Sequence, residues 1–172
     1  MGGSKYEEPA EFEYSLNSLL KDWLRRTRES QFGHYAAAKR LGYLNYGLGI
    51  PVVVMSALVG SSVFAALGKQ VDLRLQIAVG VTSVVTAALA SLQTFLRFSE
   101  KAEKHRSSGA AFGAIRRRIE ESLAVPPEPG EVKTLLAEVR GQMDTLAKEA
   151  PEIPSHVWNG QAPRFGLPRL HS

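Results

Sequence analysis

Two long apolar stretches without any charged residue dominate the pattern of this chain. Residues 41–68 and 75–96 contain no Asp, Glu, Lys or Arg. A bilayer core is crossed by about 20 consecutive, mostly apolar helical residues. The pattern therefore predicts two transmembrane helices, over residues 44–67 and 75–96, joined by a short external turn over residues 68–74.

Helical periodicity continues on both sides of these spans. Apolar residues recur at helical spacing from Leu16 to Leu24, which predicts a helix over residues 12–43 behind a flexible N-terminus of residues 1–11. The second span is predicted to continue as a helix over residues 97–125, which ends at Pro126-Pro127. A third, amphipathic helix is predicted over residues 131–150, followed by an irregular, proline-containing tail over residues 151–172.

These elements predict an all-α membrane protein: a two-transmembrane helical hairpin with long cytoplasmic helical extensions and a third, C-terminal cytoplasmic helix. The alternative is a soluble hairpin buried in a larger core, but the remaining segments are too polar and too few to cover both apolar stretches. Cations flank both spans, whereas the turn holds only Lys69 and Arg74. By the positive-inside rule, both termini are expected in the cytoplasm, with the lipid bilayer as the first partner.

The two spans carry small and polar residues on defined faces. The polar face of the second span predicts either a pore lining or a surface that holds helices together. Two helices cannot enclose a pore, so conduction requires a homo-oligomer that packs through the small residues. The candidate pore-lining residues are Thr82, Ser83, Thr86 and Gln93. The candidate helix-packing residues are Asn45, Gly49, Ser56, Gly60, Gly80, Ala87 and Ser91.

Arginine clusters lie on both predicted cytoplasmic extensions. One interpretation is a solvated surface with ion pairs along each helix, and the other is a basic site for an anionic regulator or a partner protein. A net charge of +4 is also compatible with nucleic-acid binding, but no recognised binding motif is present, so no nucleic acid is expected. The candidate regulator-binding residues are Arg25, Arg26, Arg28, Arg116, Arg117 and Arg118.

The sequence contains no pattern typical of an enzyme. It has no Gly-rich phosphate loop and no nucleophile elbow, and it has no cysteine for thiol catalysis or zinc binding. His34 and His105 are expected to lie near one another if the two extensions are antiparallel. No third ligand shares their helix faces, so neither a metal site nor a cofactor is expected.

Several segments together resemble the SLATT family, the SMODS and SLOG-associating two-transmembrane effector domains. The resemblance covers most of residues 12–124. It is carried by these segments: Trp23-Leu24-Arg25-Arg26, residues 34–40 (HYAAAKR), Gly49-Ile50-Pro51, residues 92–106 (LQTFLRFSEKAEKHR) and residues 113–120 (GAIRRRIE).

The resemblance implies a membrane effector of a bacterial conflict or antiviral defence system. Such an effector is expected to permeabilise the inner membrane when a nucleotide second messenger or a partner sensor protein signals infection. The alternative is a non-conducting membrane anchor whose cytoplasmic hairpin recruits a partner. The family implies no set of ligand-contact residues, so the candidate residues above rest on the sequence pattern alone.

Overall fold

The computed structural model describes residues 8–68, 70–161, 163 and 166, with side chains described from Leu16 onward apart from that of Gln161. All regular secondary structure in these ranges is helical, which confirms the prediction of an all-helical chain. Residues 1–7 of the predicted flexible N-terminus lie outside the described residues. The helices are α1 (Glu8–Ala66), α2 (Leu73–Leu96), α3 (Phe98–Ala124), α4 (Val132–Glu149) and α5 (Ser155–Gln161).

Helix α1 passes from the predicted cytoplasmic helix into the predicted first span without a break. It begins at Glu8, so residues 8–11 are helical and not irregular. Pro51 lies inside the helix, where proline lacks the N–H that would bond to the preceding turn. The α-helix nevertheless continues through Pro51 to Ala66.

The predicted continuous helix over the second span and its extension is wrong at one residue. Arg97 adopts the left-handed conformation, with φ of 50° and ψ of 42°, and separates α2 from α3. Its N–H donates to the carbonyl of Gln93 (3.3 Å), while its own carbonyl accepts from the N–H of Lys101 (3.1 Å). No glycine or proline marks this break, so periodicity could not predict it.

The prediction of an irregular tail is wrong for residues 155–161, which form α5. The carbonyl of Pro154 accepts hydrogen bonds from the N–H groups of Val157 (2.9 Å) and Trp158 (3.1 Å). Proline favours the position just before or at the start of a helix because its φ is already helical. Val157 is buried, and this burial supplies the tertiary support that a short helix requires.

The chain divides into two compact units. The first contains the residues up to Ala37 and those from Lys104 onward, and its core joins α1, α3 and α4. The buried residues at its centre are Leu20, Ile115, Ile119 and Val139. The surrounding apolar side chains are Leu16, Trp23, Leu24, Leu123, Leu135, Leu136, Met143 and Leu146.

The second unit, Ala38–Glu103, is a hairpin of the C-terminal part of α1 with α2. A set of its half-buried and buried residues repeats at alternating intervals of three and four along each helix, which is the spacing of a knobs-into-holes contact. We call this set the seam. On α1 the seam is Asn45, Leu48, Val52, Met55, Val59, Ser62 and Ala66. On α2 it is Val79, Thr82, Thr86, Leu89, Gln93 and Leu96.

The outer surface of this hairpin is apolar. Phe64 and Phe95 are 76% and 81% exposed, and Val54, Leu58 and Val84 are also exposed. By length and composition, the α1 and α2 stretches could each cross a membrane. Within their most apolar windows, 0% and 6% of the residues are buried. A buried core helix of a soluble protein would have most of that window covered.

Candidate pore and regulator sites

The predicted pore-lining residues of α2 lie mostly in the seam. Thr86 is buried, and its hydroxyl donates to the carbonyl of Thr82 one turn earlier (2.7 Å). Thr82 and Gln93 are half-buried seam residues, and Ser83 lies half-buried directly beside Thr82. A threonine hydroxyl bonded within its own helix is satisfied without water. These four residues therefore line the contact between α1 and α2 within one chain.

The side chain of Gln93 fills the space left by a glycine on the opposite helix. A Cβ atom built on Gly49 would lie 2.9 Å from Nε2 of Gln93, a distance shorter than a van der Waals contact. Asn45, one turn before Gly49, is also half-buried. Among the residues that the structure describes, the side chains of Asn45 and Gln93 form no hydrogen bond. The amide of Gln93 is thus packed against the helix without a polar partner.

The predicted helix-packing residues divide into two groups. Asn45 and Gly49 are half-buried, and Gly49 packs against Gln93 of the chain's own second helix. Ser56, Gly80, Ala87 and Ser91 are exposed on the hairpin surface. Gly60 is partly covered, and a Cβ atom on Gly60 or Gly80 would meet nothing within 4 Å. The second group is free to contact another helix.

The seam itself was not predicted from the sequence. Its signal is present there as the three-four spacing of Leu48, Val52, Met55 and Val59. Most of the residues around them are also apolar, so this spacing does not form a distinct stripe in the sequence.

Most arginines of the predicted regulator site are already paired with carboxylates of the same unit. Arg25 bonds to Asp22 (2.8 Å) and to Glu29 (2.9 Å), and Arg26 pairs with the other oxygen of Asp22 (2.9 Å). The hydrogen bond from Arg25 lowers the pKa of Asp22, and the same bond raises the pKa of Arg25. These contacts match the interpretation of ion pairs along a solvated helix.

In the second arginine cluster, two of the three arginines are also paired with carboxylates. Nε of Arg116 lies 3.5 Å from Glu120, and Arg118 bonds to Glu138 of α4. Arg117 and Arg28 are exposed and make no ion pair with a described residue. Of the six arginines predicted to bind a regulator, these two retain an uncompensated charge.

His34 and His105 form a buried polar contact between α1 and α3. Their Nδ1 atoms lie 2.9 Å apart, and both residues are almost inaccessible, with 3% and 5% exposure. The ring of His34 also stacks on Phe112, with centroids 5.6 Å apart. Burial, together with the nearby His105, lowers the pKa of His34 to about 4, and burial lowers that of His105. One ring must donate an Nδ1 hydrogen and the other must accept it, so at least one of the two rings is neutral.

His34 and His105 thus lie near one another, as expected from the sequence. Among the described residues, no group of three or more His, Asp or Glu side chains could hold a metal ion. The pair therefore provides two nitrogens without the further ligands that a zinc site requires.

Comparisons with protein-family models, with curated proteins and with solved structures found no match to this chain.

Proposed function

We propose that this chain is a membrane-embedded effector that forms a homo-oligomeric pore, with its hairpin in the inner membrane of a bacterium and both termini in the cytoplasm. The observation that carries the proposal is the outward-facing apolar surface of two charge-free helices. Soluble monomers rarely expose apolar patches beyond a few hundred Å². The side chains of Phe64 and Phe95 are 76% and 81% exposed, and a lipid bilayer would provide their apolar environment.

The orientation is supported by the charges at the two ends of the hairpin. Lys39 and Arg40 precede the first span, and Arg97 and Lys101 follow the second. Such cations are retained on the cytoplasmic side, where they also meet anionic lipid headgroups.

A conducting assembly is supported by polar residues inside a hairpin that lipid surrounds. Polar side chains in a membrane span are costly, so they usually face other helices or water. The candidate lining of Thr82, Ser83, Thr86 and Gln93 provides hydroxyl and amide groups of this kind. The open glycines Gly60 and Gly80 allow close approach of neighbouring copies, which two-helix subunits need in order to enclose a path.

The SLATT resemblance implies that the pore opens in response to a trigger. A nucleotide second messenger or a sensor protein would bind the cytoplasmic unit more tightly in the conducting arrangement and so shift its population. Arg28 and Arg117 support an anionic regulator better than the other four arginines do, because no carboxylate of a described residue pairs with either.

A non-conducting membrane anchor is the second candidate function. It is favoured by the hydroxyl of Thr86, which is buried and satisfied by the carbonyl of Thr82. In an anchor, the polar residues would only hold the two helices together. Replacing both spans by unrelated hydrophobic helices would then preserve the defence activity of the chain, whereas the same replacement in a pore would abolish it.

The test compares three glycine-to-leucine variants expressed at the same level in bacterial cells. Gly60→Leu and Gly80→Leu change the proposed contacts between copies, and Gly47→Leu is the matched control outside the predicted packing set. A Cβ atom at any of the three meets nothing within 4 Å, so none should disturb the hairpin of a single chain.

The readouts are membrane potential and entry of an impermeant dye. We expect the unmodified chain and Gly47→Leu to depolarise the cells, and Gly60→Leu and Gly80→Leu to abolish depolarisation. Equal depolarisation by all four proteins would exclude packing through these glycines. A stable potential together with retained activity after replacement of both spans would favour the anchor.

A further inference from the structure

Three of the four candidate pore-lining residues lie where they cannot line a path between copies. Thr82, Thr86 and Gln93 are all in the seam between α1 and α2, and Thr86 is only 8% exposed. The exposed surface of α2 is mainly apolar, and the hydroxyls of its exposed Ser91 and Thr94 donate to carbonyls of their own helix. In this arrangement, copies that pack through their outer surfaces would leave the three seam residues hidden inside each hairpin.

We infer that this hairpin is the closed, self-occluded state of the proposed pore, and that the path opens when α1 and α2 separate along the seam. The inference rests on the proposed function and concerns its regulation. In the open state, the seam residues of one copy would pair with those of neighbouring copies and face the path.

The polar contacts of the seam allow this separation. Among the described residues, no side-chain hydrogen bond joins α1 to α2 across the seam. The hydroxyl of Thr86 keeps its bond to Thr82 whether the helices are together or apart, because that bond lies within α2. Separation therefore disrupts apolar packing and leaves the hydrogen bonds of both helices intact.

The closed state leaves the half-buried amide of Gln93 without a hydrogen bond to any described residue. That amide can donate two hydrogen bonds and accept others, yet it packs against Gly49. An unsatisfied amide in an apolar environment is unfavourable, and water or a polar residue of another copy would relieve it. The seam therefore combines apolar packing that favours closure with an amide that favours opening.

The spacing of the seam also permits re-pairing between copies. A three-four repeat forms knobs-into-holes packing with any helix that presents the same repeat in a compatible direction. Both helices present it, over Asn45–Ala66 and Val79–Leu96. Helix packing of the same kind can thus form between copies after the two helices of one hairpin have separated.

The contact of Gly49 with Gln93 provides an opening variant. A leucine at Gly49 would overlap the amide of Gln93, because even a Cβ atom would lie 2.9 Å from its Nε2. Overpacking of this kind raises the free energy of the closed seam and shifts the population towards the separated state. Gly47→Leu is the matched control, since nothing lies within 4 Å of its Cβ position.

A second variant closes the seam covalently. The chain has no cysteine, so Gly49→Cys with Gln93→Cys introduces the only two thiols. A short bis-methanethiosulfonate would join them across the seam through two disulfides. Reduction of these disulfides in the same sample removes the cross-link and provides the matched control.

The experiment measures potassium efflux from vesicles of phosphatidylethanolamine and phosphatidylglycerol that contain the purified full chain. Circular dichroism checks that each variant keeps its helical content. We expect efflux from Gly49→Leu to be about tenfold faster than from the unmodified chain or Gly47→Leu, because overpacking raises the free energy of the closed seam. Cross-linking of the double-cysteine variant should abolish its efflux, and reduction of the cross-link should restore it.

Two results would overturn the inference, and they differ in what they say about the pore. Efflux that persists in the cross-linked protein would show that conduction does not need the seam to open, and the proposed pore would stand. No efflux from any variant, including helical Gly49→Leu, would overturn the inference together with the proposed function.

Discussion

Acidification is expected to destabilise the first compact unit through its buried histidine pair. His34 and His105 share one hydrogen bond between Nδ1 atoms 2.9 Å apart, which requires at least one ring to be unprotonated. Both rings are buried, so a positive charge on either loses its hydration. The experiment lowers the pH of the unmodified protein from 7.5 to 4.5.

The sign follows from the direction of the pKa change. The pKa of His34 falls from 6.5 to about 4 on folding, so the unfolded chain binds a proton more tightly than the folded one does. Stability is therefore complete above about pH 6.5 and is lost as the pH falls through that value towards 4. The loss is about 3 kcal/mol for His34, since one pKa unit corresponds to about 1.4 kcal/mol. The lowered pKa of His105 adds a change of the same sign.

Tryptophan fluorescence can report this unit selectively. Both tryptophans of the chain, Trp23 and Trp158, belong to the unit that contains the histidine pair. Urea unfolding of the full chain in detergent micelles, followed by this fluorescence, gives the free energy of unfolding at each pH. We expect its slope against pH to approach about 1.4 kcal/mol per pH unit from His34 between pH 6.5 and 4, with a contribution of the same sign from His105.

The control is His34→Asn with His105→Asn. An asparagine amide can place a donor or an acceptor near the Nδ1 position without titrating, so this variant should lose most of the slope whatever its absolute stability. The pH dependence of Asp22 lies lower, because its pKa is below 3.8. If the unmodified and double-asparagine proteins lose stability in parallel between pH 6.5 and 4, the histidine pair is not the cause of that loss.

Two further predictions concern packing and backbone conformation. Ile119→Ala should lower the free energy of unfolding of the first compact unit by about 2 to 5 kcal/mol, because Ile119 is fully buried. Val125→Ala, at a residue that is 72% exposed, should change it by less than about 0.5 kcal/mol, and equal effects in urea unfolding would contradict the core assignment. Arg97→Gly should be about 1 kcal/mol more stable than Arg97→Ala, because only glycine adopts a φ of 50° without strain. Both variants remove the ion pair with Glu100, so thermal unfolding by circular dichroism isolates the backbone term, and equal melting temperatures would argue against strain at this position.

The helices were predictable because their signals are local. The apolar stripe of α4, which includes Leu135 and Met143, packs on the core as its 3.6-residue period indicates. The break at Arg97 and the short helix after Pro154 were not predictable in the same way. Each depends on hydrogen bonds and packing that the residue type alone does not specify.

The candidate sites show the same division. The sequence identified Thr86 and Gln93 as polar residues on one face of an apolar helix, but the direction of that face depends on which helix packs against it. Likewise, it identified six arginines, but Asp22, Glu29 and Glu138 decide which of them remain uncompensated.

Neighbouring residues alone specify the all-helical architecture and the two apolar helices that are long enough to cross a bilayer, because periodicity and the absence of charge are local properties. Tertiary packing places Thr82, Thr86 and Gln93 of α2 in a seam, Gln93 against Gly49, and His34 beside His105. Those contacts join residues far apart in the chain. Their partners are selected by the mutual packing of helices, and the pattern of one segment does not encode that choice.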